Sequence, residues 1–575
     1  MSDGSGSAHH ARSRTSSRTS DAPAAPGAPP APPWPRWWPI GLFAAFAAVA
    51  TGLYHPALRG PFLFDDVIYL VSHPYTETLS VANVVAILDP FGHARFYSAN
   101  YEPVHLLAAA VERHIFADAL IGYHLVNLFV HTGNAVLLVA WLRAAPVPAA
   151  AALGGGLFFL VHPANVEAVA WMSQLKTTGS LAFAFGALLL LRRWPPIAAL
   201  LFALSLLTKA AGLFALPAAA AWLWADPGAR RRDWLWLGGW LVIAAMYAVP
   251  QFSAFAHLGE VEVPAFHDPW VHARTIAAVG ARYLAMAPAA IGVSAWQEPP
   301  PATSWLDPWW LAALPLGVLL GWRTLVCLRR RSPEAAFWVS AAAAFAPVSQ
   351  LFPFATPVAD RYLYTILPGL IGGVLVAGAQ VRWLADAHGA RRAATIALPA
   401  ALMLWFAWQT SERAALWQHE TRLMLDAARQ YPEGATAHVL RARSAAQVGD
   451  ADEAVALLRE AVRRGIDQFT ALERDPGLAP LVGTPQFAQL VREMAGAWIE
   501  LARRRGYSTQ PELRFLAIAH SRRGEYAEAV SALEAALAAG GPLDEMVREE
   551  LAEARAQLEA DPRSRAGGGA GAARR

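Results

Sequence analysis

From Trp37 to about residue 410 the chain returns repeatedly to apolar stretches long enough to enter hydrocarbon, which leaves few folds open. A bilayer core of roughly 30 Å needs about 20 apolar residues in a helix, and backbone groups facing lipid must be satisfied within the segment. The stretches run at about 37–54, 120–143, 147–165, 178–193, 196–208, 212–226, 234–252, 307–327, 334–353, 364–382 and 393–410. Several are short and would need tilt or local thinning of the bilayer. Composition agrees: 55% of residues are hydrophobic, 16% are charged and 23 are tryptophan, far from a soluble average. The expected class is all-α, a polytopic membrane helix bundle with about eleven spans.

Basic residues orient it. Arg143, Arg192-Arg193, Arg230-Arg231-Arg232, Arg329-Arg330-Arg331 and Arg391-Arg392 sit at the ends of apolar stretches, where such residues mark the cytoplasmic side. Alternating crossings from a cytoplasmic N-terminus satisfy all of them if 277–293 is re-entrant or interfacial and does not cross. The net charge of +3 is small and scattered, which argues against nucleic acid. The single cysteine, Cys327, excludes an internal disulfide framework and any multi-cysteine metal site.

Residues 1–35 are rich in Ser, Ala, Pro and Gly and cannot bury a core, so a disordered cytoplasmic tail is expected there. A cleaved secretory signal is the competing reading of the first apolar stretch, and either way the loop at 58–119 is exported. Domain 36–410 is followed at 411–560 by a different texture, periodic Ala and Leu with alternating charges. The segments 437–461 and 513–536 share a small-x3-large pattern, a turn glycine (Gly449, Gly524) and a following Ala spacing. That is the pattern of tetratricopeptide helix-turn-helix units, with a plain helical hairpin bundle as the alternative. Residues 561–575 are a Gly/Ala/Arg tail, again expected to be disordered.

The candidate chemistry is polar and clustered. Asp65-Asp66 follows the first stretch in Pro61-Phe-Leu-Phe-Asp-Asp-Val-Ile-Tyr69, and acids beside hydrocarbon are functional candidates by default. Successive helical residues point about 100° apart, so at most one carboxylate can aim at a reacting atom while its neighbour caps, binds a metal or holds a partner. An N-cap for Val67-Ile-Tyr-Leu-Val is the competing role for either. The same loop holds Tyr101, Glu102 and His105. His124, Asn127 and His131 recur at helical spacing near the start of a span. His162-Pro163 with Glu167 marks a kink near the outer surface, where Glu167 could pair with Lys176. Thr208-Lys209 and Asp360-Arg361-Tyr362-Leu-Tyr364 fall on the same side, with cations able to meet a lipid phosphate or simply to snorkel.

Together, Phe-Asp-Asp after the first span, Tyr101-x-Pro103, Gly122-Tyr-His-Leu-Val-Asn-x3-His131, His162-Pro-x3-Glu-x-Val-Ala170, Lys209, Asp360-Arg-Tyr-Leu-Tyr364 and trailing repeats resemble the transmembrane-and-tetratricopeptide-repeat O-mannosyltransferases and their bacterial relatives, over about 55–540. The resemblance implies a type-C membrane glycosyltransferase of the bacterial inner (plasma) membrane followed by a tetratricopeptide-repeat α-solenoid. It implies transfer of mannose or another hexose from a polyprenyl-phosphate donor to an exported protein Ser/Thr or a glycolipid, with the repeats binding the acceptor or a protein partner. Glu102 stands where an arginine is common, and Ser173-Gln-Leu-Lys-Thr177 where a more basic run is usual. Those departures leave the donor open.

The implied reaction wants a carboxylate to take the acceptor's proton and cations to hold the departing phosphate. Asp65 or Asp66 fits the base, with Asp66 the first choice. Arg361, Lys209 and Lys176 are phosphate candidates. His124, His162 and Glu167 are candidates for the sugar pocket, alongside Tyr101, Asn127, Asp360 and Tyr362 as further substrate-binding residues. No zinc motif exists, and a loosely held Mg2+ or Mn2+ at the aspartate pair stays open. The competing class is a membrane anchor without catalysis, whose repeats dock envelope proteins.

Overall fold

A computed structural model describes residues 35–258, 264–352, 356–381 and 389–561. Both expected tails lie outside these residues except at their inner edges. Among the described residues every regular element is helical and none is a strand. Five helices are long and apolar enough to cross a membrane: Leu120–Ala144, Arg231–Phe255, Pro308–Arg329, Asp360–Ala379 and Ala393–Leu416. A sixth candidate is the pair Ala149–Leu160 and Pro163–Ala170, bent by 50° where His162-Pro163 interrupts the backbone ladder.

The remaining five stretches form shorter helices, Trp38–Tyr54, Leu175–Leu190, Pro195–Thr208, Ala210–Ala225 and Glu334–Val348. The reason is local. Pro195 opens one of them, and Lys209 ends it in extended backbone (φ −164).

Polar contacts mark two ends of the bundle. At one end Arg192 pairs with Asp226 and approaches Asp233 at 3.6 Å, Trp224 donates to the Leu328 carbonyl at 2.9 Å, and Arg331 lies over the Trp224 ring. Three of the arginine clusters thus share that end. The opposite end gathers Asp65 and Lys176, Glu167 and Arg361, and Asn100 with Gln251. Helix Pro269–Ala289, which covers most of the stretch expected not to cross, makes contacts of this second end along its length: His272 with the Gln350 carbonyl, Tyr283 with Ala359, and Ala287 with His162.

Helix Ala390–Leu416 runs through the expected boundary at residue 410, so the change of texture falls inside one helix. Beyond it, Ala435–Gln447 packs on Ala451–Arg463 and Gln510–Arg523 on Tyr526–Ala539. The turns between partners use Gly449 (φ +83) and Gly524 (φ +73), left-handed conformations that suit glycine. This helical region is seated on the second end of the bundle. Glu298 accepts from the Thr436 backbone and hydroxyl at the start of Ala435–Gln447, Ala295 N–H donates to Asp426 at 2.9 Å, and Tyr97 donates to Gln510.

Candidate functional site

The loop that carries the aspartates is shaped by one strained residue. Phe64 has φ +49, a conformation costly for a residue with a side chain and one that collects at functional sites. Its ring is held edge-on against Trp171 and tilted against Trp296. Directly after it, Asp65 and Asp66 diverge. Val67–Val71 then forms a single wide turn closed by Ser72 N–H to the Val67 carbonyl.

Asp66 is buried. Its two oxygens accept the Leu63 N–H at 3.0 Å and the Ser173 N–H at 2.6 Å, while Trp171 donates to the Leu63 carbonyl. Neither aspartate caps the following turn through its side chain. Burial pushes the Asp66 carboxyl up to about 7, against the lowering effect of those hydrogen bonds. Asp65 has 41% of its side chain exposed and faces Lys176 at 3.7 Å. The freer carboxylate is therefore Asp65, and the first choice of Asp66 as the reacting group runs against this geometry.

Three cations lie within electrostatic reach of one another and of Asp65. Lys176 donates to the Tyr69 hydroxyl at 3.0 Å and sits 4.1 Å above that ring. Lys209 donates to Thr177 at 2.7 Å. Arg361 pairs with Glu167, which also accepts the Arg361 backbone N–H at 2.7 Å. The expected partner of Glu167 was Lys176, so that pairing is corrected. An arginine can satisfy both carboxylate oxygens from one residue, whereas Lys176 has Asp65 and Tyr69 beside it. Arg361 also lies over the rings of Trp171 and Tyr362, which aligns its planar guanidinium.

Glu102 belongs to this cluster. It is buried, its carboxyl is pushed up by burial against the pull of Lys176 and Lys209, and one of its oxygens has no hydrogen-bond partner. His105, one turn further on, packs against Tyr69 at 4.9 Å. Sequence reasoning missed Tyr69 as a partner, although it stands four residues after Asp65.

The other candidates hold backbone together. Asn127 donates to the carbonyls of Ala168, Val169 and Trp171 and accepts from Thr178. His124 bonds the Gly60 carbonyl, and His162 bonds the Ala287 carbonyl while accepting from Ala164 N–H. Tyr101 donates to the Leu88 carbonyl and its N–H reaches Gln251. Asp360 accepts from Ser294 N–H and from Gln297 at 2.7 Å, with Arg413 at 3.9 Å. These residues position the site and offer little free polarity to a ligand.

The aspartate pair does not fit a hard divalent cation. Both Asp66 oxygens are taken by backbone N–H groups, Lys176 stands beside Asp65, and no group of three or more His, Cys, Asp or Glu among the described residues could hold a metal. Such ions want several oxygen ligands. No family model, no curated protein and no solved structure matches the chain.

Proposed function

We propose that the chain is an integral membrane glycosyltransferase that moves a hexose from a polyprenyl-phosphate donor to a hydroxyl of an exported protein or glycolipid. The observation that carries this reading is the partly exposed Asp65 carboxylate set among Lys176, Lys209 and Arg361. One charge type serves each half of the reaction. Asp65 takes the proton of the attacking hydroxyl while its oxygen bonds to the anomeric carbon. The bond from that carbon to the phosphate oxygen breaks, and the cations hold the leaving phosphate. One displacement from one face gives inversion.

Asp66 and Glu167 are positioning residues in this scheme. Asp66 ties the aspartate loop to the 171–175 segment, and Glu167 holds Arg361. The C-terminal helices, read as tetratricopeptide repeats, present the acceptor, because they are seated on the same end of the bundle as Asp65. The test compares envelope proteins and lipids by mass spectrometry in cells carrying the intact chain or Asp65→Asn. Loss of a hexose from defined peptides or lipids, with membrane level unchanged, supports the reading. An unchanged glycan profile in the variant sinks it.

A further inference from the structure

Helix Val81–Leu88 stands on the loop between Tyr54 and Leu120 and contains no charged residue. One face carries Ile87, buried against the loop core of Tyr69, Leu70 and Leu106. The opposite face carries Val81, Val85 and Leu88, exposed by 82%, 62% and 47%. Residues at i, i+4 and i+7 form one stripe. Phe91 extends it just past the helix, at 65% exposure. Isolated exposed apolar residues are ordinary, but a continuous stripe on an uncharged helix marks an interaction surface.

The polarity that the segment does have is spent at its ends. Ser80 accepts the Asn83 N–H at 3.1 Å, and Asp89 accepts the Phe91 N–H at 2.9 Å. Ser80 turns to its own backbone, and Asp89, exposed at the far end, commits one oxygen to it, so the stripe is apolar with a single carboxylate at its edge.

What covers it follows from where the loop is anchored. The loop leaves apolar helix Trp38–Tyr54 and enters candidate span Leu120–Ala144, and His124 bonds the Gly60 carbonyl, so the two ends emerge beside each other. A lipid surface therefore adjoins the loop. A second copy of the chain is a poorer occupant: eight residues at about 1.5 Å each give a helix of roughly 12 Å, too short to supply the roughly 800 Å² per partner of a stable interface.

We propose that helix Val81–Leu88 lies on the outer lipid surface, with Val81, Val85 and Leu88 immersed at the boundary between headgroups and acyl chains. The helix has no lysine or arginine, so apolar burial alone holds it and zwitterionic lipid suffices. Val67, Ile68 and Val71, on the turn directly after the aspartates, are also exposed. This inference rests on the membrane placement of the flanking helices and not on sugar transfer.

Because Cys327 is the only cysteine, Cys327→Ala gives a background for single nitroxide labels. Labels are placed at Val85→Cys, at Leu319→Cys on the exposed face of span Pro308–Arg329, and at Val448→Cys in the C-terminal region. The full chain is reconstituted in phosphatidylcholine nanodiscs, and collision with oxygen is compared with collision with a water-soluble nickel chelate. The expected result is an oxygen-to-nickel ratio at Val85 several-fold above that at Val448 and approaching that at Leu319, unchanged by anionic lipid. A ratio equal to Val448 overturns the proposal, as does shielding from both reagents, which would mean a protein cover. If Leu319 also reads as aqueous, the membrane placement itself fails and the proposal falls with it.

Discussion

The Asp66 carboxylate accepts the Ser173 backbone N–H at 2.6 Å across 107 residues of chain, while its neighbour Asp65 keeps 41% of its side chain exposed. One aspartate is structural cement and the other is available. The two neutralising substitutions should therefore part company. Asp66→Asn places an amide against two N–H donors and should cost about 1–3 kcal/mol, read as a lower unfolding temperature and less protein in the membrane. Asp65→Asn should cost less than Asp66→Asn, because its carboxylate is partly exposed and buried Lys176 keeps Glu102 and Tyr69 beside it, and should remove transfer. Equal stability of both variants would contradict the division.

Glu167 and Arg361 form a buried pair, at 4% and 12% side-chain exposure. Removing one partner of such a pair typically costs about 3–5 kcal/mol, because the other charge is left buried and uncompensated. Glu167→Gln should show this loss in denaturant unfolding, and Arg361→Lys should keep more stability than Arg361→Ala but little transfer, since a point charge cannot reproduce the planar contact with Trp171. A Glu167→Gln protein with parental stability would remove the pair from its supporting role.

The stability that two buried acids contribute should fall with rising pH. Burial pushes Glu112 up to about 8 from 4.5, with Asp66 adding to it, and Asp66 up to about 7 from 3.8. An acid whose folded pKa is raised holds its proton more tightly in the folded state, so its contribution is fully present below the unfolded value and is lost as pH climbs through the folded one. The window for Glu112 runs from 4.5 to about 8. Burial holds His73 and His105 below their ordinary value, which opposes the decline up to about 6.5, so unfolding temperature should fall chiefly above it, and Glu112→Gln should flatten that fall. A Glu112→Gln profile that parallels the parent's would refute the assignment.

Between the C-terminal helices and the bundle, Glu298 is joined to Thr436 and Gln297 links Tyr431 to Asp360. Glu298→Ala should loosen that seam without unfolding either part. Limited proteolysis near 411–434 should accelerate several-fold while the thermal transition of the bundle stays put. Proteolysis at the parental rate would mean that other contacts seat the region.

Much of the fold was legible because hydrophobic length and arginine position are local signals. The helices over 120–144, 308–329 and 360–379 stand close to where the apolar stretches predicted them. The break at Lys209 was also visible, since it already parted 196–208 from 212–226, and the helices there keep those short lengths. The site was legible as a set of residue types and illegible as a set of pairs. Nothing local says that Glu167 meets Arg361, 194 residues away, in place of Lys176, or that Ser173 takes Asp66 out of play. Glu102 was visible only as an odd acid, and its meaning came from the lysines that surround it.

Arg413, the cation that faces Asp360 at 3.9 Å, belongs to helix Ala390–Leu416, the last of the candidate spans. Asp360 is the neighbour of Arg361, so a ribosome must deliver nearly three-quarters of the chain before this buried acid beside the cationic corner has Arg413 as its counter-charge. A product released early would insert most of its helices and still carry a buried, unbalanced acid beside Arg361. Synthesis through the last candidate span is thereby written into the electrostatics of the site.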